Sequence, residues 1–153
     1  HLRHAKVAKA PAHRRDDGQQ AVRRRVGCKQ RLAVLHNLHA IFADEKTPVY
    51  VAVDENDTVL GYAFCVLEEP VPSNNLRPHR TLYIDDICVD EAARGQHVAT
   101  RLYEHVKAEA ERLGCYNITL NVWAGNTGAE QFYAAMGMKP RKTMLEAILG
   151  EEA

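Results

Sequence analysis

Val89-Asp90-Glu91-Ala92-Ala93-Arg94-Gly95-Gln96-His97-Val98-Ala99-Thr100 is the stretch whose reading decides the fold. Upstream of it, Thr81 to Val89 is rich in β-formers and reads as a strand. Downstream, Val98, Leu102, Val106, Ala110 and Leu113 recur at spacings of three and four. That spacing predicts an amphipathic helix over about Gly95 to Leu113, with Gly114 where a C-terminal glycine cap belongs. Tyr116 to Val122 follows, with Ile118, Leu120 and Val122 on one face and Asn117, Thr119 and Asn121 on the other, a second strand. Strand, helix and strand in this order make a right-handed βαβ unit with parallel strands. Between strand and helix lies a tight turn. The first helical turn has free N–H groups and a partial positive charge, so it is a natural anion site. Gly95 permits close backbone approach, Arg94 adds a cation, and Ala99 is small. The turn lacks a Walker lysine or serine and the GxGxxG dinucleotide pattern, and a pyrophosphate held mainly by backbone donors fits it.

Outward from this unit, Val49 to Val53 and Val59 to Leu67 are β-rich runs joined by the turn cluster Asp54-Glu55-Asn56-Asp57, an antiparallel hairpin. Residues 69 to 80 hold Pro70, Pro72 and Pro78 and read as a loop. Thr127 to Met136 is a short helix followed by Gly137, and Thr143 to Leu149 is expected as a last strand, although Met144-Leu145-Glu146-Ala147 are good helix formers. At the other end, Leu2 to Val7 is expected as a first strand. Residues 8 to 44 read mainly as helix, broken near Asp16-Asp17-Gly18. After that break, Leu32, Leu35, Leu38, Ile41 and Phe42 line a single apolar face, and Thr47-Pro48 stops the helix. The order is an α/β arrangement: one mixed sheet with helices on both faces, in a single domain over 1–153.

Composition sets bounds on function. Twenty basic and twenty acidic residues cancel, so no global field argues for nucleic acid or membrane binding. Arg14, Arg15, Arg23, Arg24, Arg25, Lys29 and Arg31 crowd the first third. They read as a solvated helix face or as a patch for an acidic partner. No apolar stretch approaches the length of a membrane span, and the start lacks an apolar signal core. The four cysteines, Cys28, Cys65, Cys88 and Cys115, form no CxxC pair. They read as reduced cytosolic thiols used as small hydrophobes rather than as zinc ligands. His36 and His39 share a helix without a third ligand in view, so no metal is expected.

Val89-Asp90 with Arg94-Gly95 and Val98-Ala99, ahead of an amphipathic helix, resembles the acetyl-CoA motif of the GNAT N-acetyltransferase superfamily. The family pattern Gln/Arg-x-x-Gly-x-Gly/Ala stands here as Arg94-x-x-His97-x-Ala99. A second family segment follows at the expected distance: Asn126-Thr127-Gly128-Ala129-Glu130-Gln131-Phe132-Tyr133-Ala134-Ala135-Met136-Gly137-Met138. The resemblance covers residues 49 to 149 closely and the N-terminal third loosely. It implies the GNAT fold, a central twisted mixed sheet of six to seven strands with helices on both faces. It also implies acetyl-CoA as co-substrate in a cleft where the strand at Ile87-Cys88-Val89 splays from the strand near Asn121. The pantetheine amides would pair with backbone at Ile87 and Val89, and the backbone from Gln96 through His97, Val98 and Ala99 to Thr100 would hold the pyrophosphate beside Arg94 and Gly95. His97 departs from the family glycine. If the backbone there needs φ > 0, a histidine is strained; if it is helical, His97 only adds a side chain near the phosphates.

The resemblance further implies that Tyr133 gives a proton to the CoA sulfur and that Asn126 contacts the CoA arm; Tyr133 also reads as packing against Phe132, and Asn126 as a helix N-cap. Asp85 and Asp86 stand in the middle of an apolar strand, where adjacent carboxylates are costly unless they act. Strand alternation sends them to opposite faces. One is expected to attract or deprotonate a cationic amine; the alternative is an ion pair with Arg77 or Arg80. Glu68 and Glu69 are further acceptor-binding candidates, or a solvated loop edge. Cys88 reads as core rather than as an acyl-carrying nucleophile.

These readings converge on acetyl transfer from acetyl-CoA to a primary amine by direct attack, with a small cationic acceptor in the cytoplasm and a homodimer as a candidate assembly. A protein N-terminus or lysine is the alternative acceptor. A catalytically weak acyl-CoA-binding sensor is the alternative of another class.

Overall fold

The computed structural model of the protein describes residues 6–10, 45–70, 72 and 77–150. The chain divides into two units, His1–Asn121 and Val122–Ala153, taken separately below.

The first unit is a mixed sheet with a helix on one face. Its strands are β1 (Lys6–Ala10), β2 (Val49–Val53), β3 (Val59–Glu68), β4 (Thr81–Val89) and β5 (Asn117–Leu120), hydrogen-bonded in that order. The junctions β1–β2, β2–β3 and β3–β4 are antiparallel, and β4–β5 is parallel across the helix α1 (Val98–Arg112). The β2–β3 turn is built by Asp54, whose Oδ1 accepts from the N–H groups of Asn56 (2.8 Å) and Thr58 (2.9 Å). These bonds hold the Asp54 carboxyl below its ordinary pKa.

Each face of the sheet has its own apolar cluster. Val98, Leu102, Tyr103, Val106 and Ala110 of α1 are buried, as the helical spacing predicts, and Tyr103 joins them. The Tyr50 ring meets His105 of α1 edge-on at 5.1 Å. The second cluster is Val49, Val51, Val59 and Tyr62, with Val53, Phe64 and Cys88 packed against it. Arg80 joins the loop ahead of β4 to the end of α1: its Nη1 donates to the Leu113 carbonyl at 2.7 Å and its Nε to Glu69 Oε2 at 3.1 Å.

The second unit holds α2 (Thr127–Ala135), after which residues 138–148 take neither helix nor strand. Met144, Leu145 and Leu149 are 82%, 89% and 95% exposed. Among the described residues no helix is long and apolar enough to cross a membrane.

Several expected boundaries move. The first strand is Lys6–Ala10 rather than Leu2–Val7, so residues 8 to 10 are not helix; ladder bonds to β2 outweigh the helix propensity of Ala8 and Ala10. Residues 2–5 and the remaining helical expectation, 11 to 44, lie outside the described residues. The helix expected from Gly95 starts at Val98, because His97 takes a left-handed conformation that a helix cannot include. The strand expected over Tyr116 to Val122 is Asn117–Leu120. The strand expected at Thr143 to Leu149 is absent: its helix-forming Met144-Leu145-Glu146-Ala147 run opposes the extended state, and local preference and pattern disagree there. The described residues therefore show five strands of the six to seven expected.

Candidate active site

The turn after β4 starts with Asp90, whose N–H donates to the Leu60 carbonyl at 2.8 Å and ties the end of β4 to β3. A single 3-10 turn, Glu91–Ala93, leads to Arg94 in extended backbone. Gly95 follows at φ 74°, a conformation that favours glycine, with open space where a Cβ would stand. The Gln96 side chain folds back to donate to the Ala92 carbonyl at 3.2 Å. His97 then takes φ 61° and ψ 22° as the N-cap of α1, without a side-chain capping bond. Positive φ at a non-glycine residue is the strained one of the two conformations weighed for this position, and costs roughly 1–2 kcal/mol. Arg94, Gly95, Gln96 and His97 are exposed, Ala99 and Thr100 are half-buried, and Val98 is buried and anchors the turn. The result is a helix start with no side-chain cap behind an exposed arginine, a geometry suited to an anion.

The second feature is the parting of two parallel strands. The β4–β5 ladder runs from Thr81 and Asn117 to Ile84 and Leu120 and ends there, while β4 continues to Val89. Ile87, Cys88 and Val89 thus extend past the last β5 partner and lead directly into the turn. Beside the parting, Asn121 donates from Nδ2 to the Tyr83 hydroxyl at 3.1 Å. An extended amide-bearing chain can pair with such a strand edge, and an anion at its end can reach the helix start.

Asp85 and Asp86 stand at the same parting, and their arrangement differs from the sequence expectation. β3 pairs Phe64 with Asp86 and Cys65 with Ile84, so Asp85 is the extra residue of a bulge in β4. A bulge of this kind absorbs one step of the pleat. Counting faces from Ile84 on one side and Ile87 on the other puts Asp85 and Asp86 on one face. The expectation of opposite faces is overturned, because alternation holds only along an unbroken ladder. The Tyr62 hydroxyl donates to Asp86 Oδ2 at 2.9 Å. The Asp85 charge adds to burial in pushing the Cys65 thiol up.

Other candidates resolve individually. Arg80, offered as an ion-pair partner of the aspartates, is engaged with Glu69. Glu69 is therefore a partner of Arg80, and Glu68 is exposed at the end of β3. Cys65 and Cys115 are free thiols, whereas Cys88 is disulfide-bonded. The expectation of a reduced thiol fails at Cys88, because sequence spacing does not reveal which sulfurs meet in space. In the second unit, Asn126 caps α2 by accepting from the Ala129 N–H at 3.3 Å. Phe132 and Tyr133 meet edge-on at 5.0 Å. Tyr62 is the residue that sequence reading missed. Its apolar surroundings were visible, but its pairing with Asp86 depends on the β3–β4 register.

Residues 19–138 match the model of the acetyltransferase (GNAT) family. Among solved structures, the chain is similar to a tetramutant of the BH1408 protein from Bacillus halodurans, at 29% identity over 75% of this chain and 74% of that one, with a TM-score of 0.67. Glucosamine-6-phosphate N-acetyltransferase from Arabidopsis thaliana shares the fold at 16% identity over 79% and 76% of the two chains, TM-score 0.56. The aminoglycoside N-acetyltransferase AAC(6')-Iy in complex with CoA does so at 16% identity over 80% and 87%, TM-score 0.62. No curated protein matches the chain.

Proposed function

The chain belongs to the acetyltransferase (GNAT) family, and from that premise we propose that it moves an acetyl group from acetyl-CoA to the primary amine of a small cationic acceptor. The observation that carries this reading is the continuity of three features along one strand. Two carboxylates on one face of the β4 bulge are followed by an edge that has left β5, and then by the start of α1.

In this reading acetyl-CoA is the donor substrate. Backbone at Ile87, Cys88 and Val89 pairs with its amide arm. The N–H groups from Gln96 to Thr100, with Arg94 beside them, hold its pyrophosphate. Asn121 and Asn126 contact the arm. Asp85 and Asp86 attract the acceptor ammonium and take its proton, directly or through water. The freed nitrogen bonds to the acetyl carbon as the carbon–sulfur bond breaks. Tyr133 gives its phenolic proton to the leaving sulfur, and the second proton shed by the nitrogen once it is bonded to carbon restores the phenol through water. The products are an N-acetyl amine and CoA thiol, with no further reactant. Glu68 extends the acceptor side, with Glu69 held there by Arg80. The assignments of Asn126 and Tyr133 rest on the family segment that runs from Asn126 to Met138.

Calorimetric titration with acetyl-CoA, with ATP as control, is the first test. It is followed by a screen for released thiol with 1,4-diaminobutane, glucosamine and a lysine peptide. Micromolar binding of acetyl-CoA and turnover of the diamine above the peptide are expected. Turnover of the peptide alone would move the acceptor to proteins. A binding sensor with little turnover is the competing reading, and the strained His97 at the phosphate turn favours it. Tyr133→Phe separates the two, since a sensor keeps its affinity and has no turnover to lose. We also propose that residues 1–153 act as one domain in a cytoplasmic homodimer. The exposed Met144, Leu145 and Leu149 supply apolar surface for such a pairing, which light scattering would reveal as a doubled mass. A reducing cytosol would open the Cys88 disulfide.

A further inference from the structure

Tyr62 is fully buried, at 0% exposure, within the Val49, Val51 and Val59 cluster, and its ring lies 4.7 Å from that of Phe64. A hydroxyl in such surroundings is costly unless it is hydrogen-bonded. It donates to Asp86 Oδ2 at 2.9 Å across the β3–β4 junction. Tyr62 pairs in register with Cys88, two residues beyond Asp86, so the hydroxyl reaches along the strand to the carboxylate. Asp86 sits where the bulge has taken Asp85 out of the ladder, and the backbone there has lost some of its regular pairing. A tyrosine locked by packing on all sides fixes a carboxylate more firmly than the strand alone. A bond from a neutral donor to an ionised acceptor is also among the stronger kinds.

We propose that Tyr62 is a positioning residue for the acetyl transfer, holding the Asp86 carboxylate in the orientation in which it meets the acceptor amine; this rests on the acceptor reading above. Tyr62 does not itself touch the amine. Its hydroxyl selects one orientation of Asp86, so Asp86 is the fixed member of the acidic pair and Asp85 the member set by the bulge.

The test is a cycle of Tyr62→Phe, Asp86→Asn and the double variant in the full chain, with acetyl-CoA as donor and 1,4-diaminobutane as acceptor. Phenylalanine keeps the ring and its packing, and acetyl-CoA titration of each variant reports that the donor site is intact. The expected result is a fall of about 10-fold in kcat/KM for the amine in Tyr62→Phe, with acetyl-CoA affinity unchanged. On the Asp86→Asn background the same change should have less than about a twofold effect, because the carboxylate whose orientation it sets for the amine is gone, even though the amide oxygen can still accept the bond. A purely structural tyrosine would impair both backgrounds equally, and such additivity overturns the proposal. So does amine turnover of Tyr62→Phe equal to that of the wild type while Asp86→Asn is impaired; that outcome leaves the acceptor reading standing. A wild type that binds acetyl-CoA but acetylates none of the amines, or an Asp86→Asn variant with full activity, sinks the acceptor reading and this inference with it.

Discussion

Gly61 of β3 lies against the carbonyl of Cys88 in β4, and a Cβ built on it would stand 2.8 Å from that oxygen. The same atom would be 3.2 Å from Leu102 Cδ1 of α1 and 3.3 Å from Val89 Cα. Glycine is needed here for space, and the space concerns the strand end that leads into the turn before α1. Gly61→Ala must push β4 or α1 outward, since backbone cannot swing aside as a side-chain tip can. Overpacking of this kind costs roughly 1–3 kcal/mol. Urea unfolding of Gly61→Ala should show a loss of that size, and calorimetry should show weaker acetyl-CoA binding. Wild-type stability with wild-type affinity would mean that the approach is looser than it stands.

His97 makes the opposite prediction. Its left-handed backbone is strained for a side chain with a Cβ and ordinary for glycine. Some of the gain from His97→Gly is returned, because glycine has more freedom to lose on folding. The net expectation is a stabilisation of about 0.5–1 kcal/mol, read as a higher urea midpoint. Calorimetry on the same variant gives the second readout. Unchanged or tighter acetyl-CoA binding would show the imidazole to be dispensable, and weaker binding would show that it touches the phosphates. A variant less stable than the wild type would refute the strain argument.

The elements of this fold that were legible in the sequence are those where a local pattern dictates structure. Val98, Leu102, Val106 and Ala110 announce α1 by spacing, and all four are buried. The β2–β3 hairpin is announced by the Asp54-to-Asp57 cluster and forms where expected. The turn between β4 and α1 was legible because glycine and a helix start are adjacent in the chain. The remainder depends on register. No local pattern marks Asp85 as a bulge, because the slip exists only between β3 and β4. The Tyr62–Asp86 bond depends on the same register and spans 24 positions. The disulfide at Cys88 likewise needs spatial knowledge. At residues 143 to 149, apolar content pointed to a strand while Met144-Leu145-Glu146-Ala147 pointed to a helix, and neither formed.

Asp54 gives the hairpin a pH dependence with a definite sign. Its carboxylate accepts bonds from the Thr58 and Asn56 backbone, which lowers its pKa in the folded state. A lowered folded-state value means that the stabilisation is present above the unfolded-state pKa of about 4 and fades as pH falls through the folded-state value. Asp54→Ala should therefore melt below the wild type at about pH 7, and the gap should narrow toward about pH 2 as the wild-type carboxylate protonates. A gap that stays constant across that range would assign the effect of Asp54 to turn shape rather than to its charge.

Cys65 provides the alkaline counterpart. The thiol is 2% exposed, and burial together with the Asp85 charge pushes its pKa up. A raised folded-state value gives stability that is fully present below the unfolded thiol pKa, about 8.5, and is lost as pH rises from there. The unfolded chain then ionises while the folded one does not. The same burial shields the sulfur from thiol reagents, which attack the thiolate. In the native protein at about pH 8, a chromogenic disulfide should leave Cys65 unmodified, and modification should appear only at urea concentrations that unfold the sheet. Peptide mapping after a native-state pulse reads this directly. Rapid labelling of Cys65 without urea would show that β3 opens locally beneath α1, and would withdraw the assignment of that thiol to the core.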